Sequence, residues 1–114
     1  MNTSSALDSL KALAQEHRLA LYRLLVQAGS AGMPVGVLGE RLGLPGATLS
    51  NHLNVLRAAG LVRDAREGRV IRCRADYARM DALLAYLTEN CCAGDRAACA
   101  SVVACTPTPR SKPG

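Results

Sequence analysis

The stretch from Pro45 to Ala75, PGATLSNHLNVLRAAG followed by LVRDAREGRVIRCRA, restricts the fold more than any other part of the chain. Leu49, Leu53 and Leu56 recur at helical spacing and lie on one side of a helix. The opposite side carries Ala47, Ser50, Asn51 and Asn54, flanked by Thr48. That face is small, polar and uncharged, whereas a solvated helix face usually carries Lys and Glu. Short hydrogen-bonding groups suit the major groove of duplex DNA; an ordinary amphipathic helix has the same periodicity. Gly60 ends the helix. Two short runs then flank Glu67-Gly68, which reads as a hairpin turn. Between Leu61 and Arg74, five Arg stand against Asp64 and Glu67. Val70, Arg72 and Arg74 share one face of the second run, and Arg69, Ile71 and Cys73 the other. Arg66 and Arg69 flank the expected tip, where they can reach phosphate. A solvated Arg-rich hairpin is the plainer alternative.

The flanking segments are helical. Residues 1–5 are expected to fray. From Ala6, apolar residues recur at Leu7, Leu10 and Ala14, then at Leu21, Leu24, Leu25 and Ala28 in a second helix ended by Gly29 and Gly32. Pro34 fits the first turn of a short third helix with Val35, Leu38 and Leu42 as its apolar face. Gly43 breaks that helix, and Pro45 opens the fourth across a tight turn. A last helix begins near Asp76 or Tyr77, carries Met80, Leu83, Leu84 and Leu87 as its stripe, and ends around Thr88 to Asn90. Residues 1–90 thus form one domain. Residues 91–114 form a cysteine-bearing tail, Pro-rich and expected to be disordered toward its end. With 114 residues the core is modest, and dimerisation would help it.

The chain carries a formal net charge of +5 and a pI near 9.3, which suits an acidic partner, nucleic acid first. It has no Trp or Phe and three Tyr, too few for a single-strand binder that stacks bases on aromatic rings, so duplex DNA is the expected form. MNTSSALDSLKALAQ has neither a basic n-region nor a continuous apolar core, and no stretch approaches a membrane span. A cytoplasmic location, where thiols stay reduced, is the expectation. Five cysteines, four of them in the last quarter, argue for thiolate chemistry over a disulfide framework. No acid–base constellation accompanies the thiols, so an enzyme is not expected.

Helix, helix, helix-turn-helix, hairpin, helix is the order of a winged helix-turn-helix: mainly α with a small β-hairpin wing. The motifs TLSNHLNVLRAAGLV and REGR within it resemble the ArsR/SmtB family of metal-sensing repressors over about residues 6–90. The resemblance implies a homodimer built by the first and last helices. It also implies operator DNA bound by the fourth helix and the wing, and release on binding an inducer. By matching position, Thr48, Ser50 and His52 carry over as DNA contacts, while Asn51 stands where the family often has Arg. His52 lies toward the buried edge of the helix, so packing and phosphate contact both stand open. Pro45, Gly46 and Ala47 replace the polar residues with which the family often opens this helix. Gln15 and Glu16 replace a frequent Asp-Pro.

The same family places inducer sites in several positions. A third-helix arsenic site needs Cys-Val-Cys, and this chain has Pro34-Val35-Gly36-Val37. A last-helix zinc site needs Asp and His pairs, and here Asp81 and Glu89 have no His beside them. The tail reads NCCAGDRAAC from Asn90. Adjacent Cα atoms sit about 3.8 Å apart, short of the roughly 4.4–6.8 Å that disulfides prefer, so Cys91 and Cys92 tend to stay thiols. Two thiolates and a third from a looping tail can close on one soft ion. The arrangement is similar to arsenic-responsive members with a cysteine pair after the last helix. That resemblance implies Cys91, Cys92 and Cys99 as ligands, with Cys105 as a substitute, and As(III), Sb(III) or methylarsenite as inducer. Other soft metals (Cd, Pb, Zn, Cu(I)) and thiol oxidation remain alternatives. Cys73, sharing a strand face with Ile71, is expected to be a buried structural thiol.

Overall fold

A computed structural model describes residues 1–90 and Ala93. In chain order the elements are α1 (Thr3–Leu13), α2 (Glu16–Ala28), a 3-10 turn (Gly29–Ala31), β1 (Met33–Pro34), α3 (Val35–Leu42), α4 (Gly46–Ala58), β2 (Val62–Glu67), β3 (Val70–Ala75) and α5 (Tyr77–Leu87). The strands form an antiparallel sheet in the order β1-β3-β2. Leu21 and Leu25 of α2, Leu38 of α3, and Leu49, Leu53 and Leu56 of α4 meet Leu61, Val62 and Cys73 in one core. The helix-turn-helix is therefore held on its inner side by α2 and at its end by the base of the wing.

Several local expectations change. The N-terminus does not fray at residues 1–5: α1 begins at Thr3 because the Asn2 side chain accepts the Ser5 amide at 2.8 Å, a helix N-cap. The buried face of α1 is Ala6, Ser9 and Ala12, while Leu7 and Leu10 point outward. Small residues let α1 lie close against its neighbours, and the large ones are left over for the outer face. Pro34 is the N-cap of α3 rather than part of its first turn. With Met33 it forms the short edge strand β1, pairing with Cys73 and Arg72. An edge tolerates proline because one side needs no ladder donor.

The wing turn is Gly68-Arg69, not Glu67-Gly68, because Glu67 is the last residue of β2 and pairs with Val70. Gly68 has φ +64° while Arg69 stays on the negative side. A two-residue turn with glycine first is the II′ form whose twist matches the strands. Arg69 thus sits in the turn and not on β3. Gly32 has φ +67°, and a Cβ there would lie 2.2 Å from the Cys73 carbonyl oxygen, so only glycine lets the α2–β1 connection touch the sheet. Asp76 caps α5 by accepting the Arg79 amide at 3.0 Å. Leu83 is buried and Met80 packs against the core, but Leu84 and Leu87 are exposed. Thr3 and Tyr86 hydroxyls hydrogen-bond, fastening the start of α1 to the end of α5. Among the described residues no helix is long and apolar enough to cross a membrane.

Candidate nucleic-acid interface

The fourth helix carries its three leucines inward, so its outer face is set by default. Ala47, Ser50, Asn51 and Asn54 are exposed, and Thr48 and His52 are half-buried at its margins. Pro45 caps α4 without a side-chain hydrogen bond. The first-turn amides are left to an outside acceptor, which favours an anion at that end.

His52 faces His17, at the start of α2, with ring centroids 5.7 Å apart. Burial, then the positive charges of Arg18 and His17, hold its pKa below the ordinary histidine value. Arg18 is itself fixed by donating to the Ala12 carbonyl at 2.6 Å, at the C-terminal end of α1. His52 is therefore neither sealed in the core nor open on the outer face.

The wing presents Arg66 and Arg69, both exposed, and among the described residues neither enters an ion pair. Of its other arginines two are engaged, while Arg74 is exposed on β3 and, among the described residues, also enters no ion pair. Arg63 lies 3.5 Å from Asp76, and Arg72 lies 3.2 Å from Glu67 and donates to the Ala31 carbonyl. Arg72 braces the wing against the α2–β1 connection, and of the unpaired Arg66, Arg69 and Arg74 the first two stand nearest the wing tip. Alternation along β2 puts Asp64 and Arg66 on one face. Asp64 meets Arg57 of α4, with Nε and Oδ2 2.9 Å apart. Arg66 therefore belongs to the sheet face that adjoins the fourth helix. One side of the molecule combines a short polar helix face with unpaired arginines.

A family model described as a helix-turn-helix domain matches residues 13–65. The transcriptional activator HlyU of Vibrio cholerae serotype O1 is 32% identical over 91 residues, covering 80% of this chain and 82% of HlyU. The solved ArsR-like transcriptional regulator from Rhodococcus sp. RHA1 superposes with a TM-score of 0.70 at 29% identity, over 85% of this chain and 89% of that one. The chain belongs to the ArsR family of helix-turn-helix transcriptional regulators. A crystal structure described as a possible transcriptional regulator for arsenical resistance is also similar, with a TM-score of 0.62 and 31% identity over 70% of this chain and 80% of that one.

Within this ArsR-family fold, all of Thr48, Ser50, Asn51, His52 and Asn54 are carried by α4, with Arg66 and Arg69 on the adjoining wing. Cys91, Cys92, Cys99 and Cys105 lie outside the described residues. Cys73 is fully buried on the central strand, its Sγ 3.4 Å from Asp64 Oδ1. Burial, then the bond to Asp64, push its pKa up to about 11, so it stays a protonated thiol and not a metal-ready thiolate. Sequence reasoning missed Arg57 and Asp64. The three-residue spacing of Asn54 and Arg57 was the available signal, but the Asp64 partner depends on where the wing folds back.

Proposed function

We propose that this ArsR-family regulator is an arsenic- or antimony-responsive repressor that binds duplex operator DNA as a homodimer. The uncharged face of α4, from Ala47 to Asn54, is the observation that carries the DNA reading. Thr48, Ser50, Asn51, His52 and Asn54 enter the major groove, and Arg66 and Arg69 of the wing hold phosphate or reach the minor groove. Leu7 and Leu10 of α1 and Leu84 and Leu87 of α5 form the dimer face, and the Thr3–Tyr86 bond keeps the two helices together.

The inducer reading rests on the Cys91-Cys92 pair followed by Cys99, with Cys105 as a substitute. Helix α3 has no Cys or His, and α5 offers Asp81 without a His. A trivalent metalloid bound by the tail thiols, adjoining the end of the dimer helix, would favour a subunit arrangement that no longer matches the operator. Coupling energies of about 1–3 kcal/mol are ordinary for such a switch. The similar structure described as a possible transcriptional regulator for arsenical resistance lends support to the metalloid reading.

The test is operator release followed by fluorescence anisotropy with arsenite, antimonite, methylarsenite, zinc, cadmium and peroxide in turn. Arsenite is expected to release wild type and to fail with Cys91→Ser and Cys92→Ser. Undiminished arsenite release from either variant ends the metalloid reading. Release by peroxide alone replaces it with a redox reading. A Cys99→Ser protein that keeps methylarsenite but loses arsenite defines a two-plus-one thiol site.

A further inference from the structure

The end of the fourth helix and the wing are joined by a contact chain that the DNA reading above does not use. Arg57, in the last turn of α4, points three groups at three partners. Its NH1 donates to Asn54 Oδ1 at 2.9 Å. Its Nε stands 2.9 Å from Asp64 Oδ2 on β2. Its NH2 reaches the Cys73 Sγ of β3 at 3.8 Å, and that thiol donates to Asp64 Oδ1 at 3.4 Å. Asp64 and Cys73 are opposite each other in the β2–β3 register, so both wing strands are tied to one guanidinium. The Arg57 and Asp64 side chains are 29% and 34% exposed, which makes the pair more than a solvated surface bridge. The Nε–H is not aimed along the Asp64 contact, so charge holds that link more than hydrogen-bond direction.

The chemistry of arginine fixes how Asn54 is presented. A guanidinium has donors only, so the atom that meets it must be the amide oxygen. The Asn54 NH2 is then the end left for an outside partner, on a face that is exposed. Bidentate reading of adenine needs both the oxygen and the nitrogen of an asparagine at the base edge. An amide whose oxygen is turned to Arg57 meets an acceptor instead.

We propose that Arg57, held by Asp64 and Cys73, is a positioning residue that fixes Asn54 as a hydrogen-bond donor toward an acceptor on duplex DNA and locks that posture to the wing. The acceptor is a base-edge atom (guanine N7 or O6, adenine N7, thymine O4) or a phosphate oxygen. The inference rests on α4 and the wing being the DNA surface.

The test begins with selection of bound duplexes from a randomised pool by wild type. Affinities for the selected site and its single-base variants are then measured for Asn54→Ala, Arg57→Lys, Asp64→Asn and Asn54→Ala/Arg57→Lys, with thermal unfolding alongside. Lysine keeps the charge but not the fork. Asn54→Ala is expected to weaken wild type by about tenfold, the scale of one good contact. In the Arg57→Lys background the same substitution is expected to change affinity less than about twofold, with Asp64→Asn behaving like Arg57→Lys. Loss of discrimination at one base pair, shared by Asn54→Ala and Arg57→Lys, assigns the acceptor to a base edge. A uniform loss across sites with the same coupling assigns it to phosphate. Additive effects of Asn54→Ala and Arg57→Lys in folded proteins overturn the proposal and leave the DNA reading standing. Failure of wild type to select any duplex removes the DNA reading, and this inference with it.

Discussion

Replacing Leu87 by alanine tests the dimer face with a magnitude set by the fold. Leu7, Leu10, Leu84 and Leu87 are 47%, 39%, 39% and 54% exposed, on the two helices joined by the Thr3–Tyr86 bond. Full burial of a leucine side chain contributes about 1.5–3 kcal/mol, so the exposed half of Leu87 still holds about 1 kcal/mol. A two-fold interface uses each residue twice, and Leu87→Ala should weaken the dimer by about 2 kcal/mol, roughly thirtyfold in Kd. The four leucines together offer about 8 kcal/mol to a dimer by the same reckoning, against an association cost of about 4–15 kcal/mol. One lost leucine therefore matters. Sedimentation equilibrium across a concentration series measures the constant directly. Leu10→Ala should behave like Leu87→Ala. Val37→Ala, equally exposed but on α3, should leave the constant alone. A dimer whose Kd is unchanged in both leucine variants, or a chain monomeric at every concentration, would refute the reasoning.

Three further outcomes follow from the wing, the histidine pair and the buried thiol. Arg66→Ala and Arg69→Ala should each lower the slope of log affinity against log salt by about one while weakening all sequences alike; an unchanged slope would mean neither arginine meets phosphate. Because burial, Arg18 and His17 hold the pKa of His52 down, phosphate contact should reverse the shift and draw a proton in on binding. Operator affinity should then rise as pH falls from neutral toward the lowered pKa of His52 in the free protein, and His52→Gln should flatten that rise; a pH-independent wild type rules out the contact. The Cys73 pKa is raised from 9.0 to about 11, so its extra stability is complete below 9.0 and is lost as pH rises toward 11. Iodoacetamide labelling of Cys73, followed by peptide mapping, should run about a hundredfold slower in the native chain than in the unfolded one; equal rates would show the strand to be open.

The fourth helix was legible because its two faces differ in kind. Leu49, Leu53 and Leu56 have nowhere to go but inward, and they end up 2%, 1% and 0% exposed. The cap of α5 at Asp76 and the breaks at Gly29 and Gly43 were legible for a similar reason, since each is decided by one residue and its neighbours. The turn of the wing was not. Glu67-Gly68 and Gly68-Arg69 are both plausible by composition, and the choice falls to the register that sets Asp64 opposite the buried Cys73. Which face of the first helix is buried was not legible, for a deeper reason. The rule that large apolar residues face inward holds for whatever is finally buried, which need not be buried within one chain. Ala6, Ser9 and Ala12 let α1 sit close to the core, and this leaves Leu7 and Leu10 exposed, as Leu84 and Leu87 are on α5. Asn54 and Arg57 repeat the lesson at the proposed DNA face, because a three-residue spacing names the pair but only the folded-back wing supplies Asp64. In both places the local rule fails because what decides the arrangement lies beyond the helix itself, and the proposed dimer and duplex would give each arrangement its use.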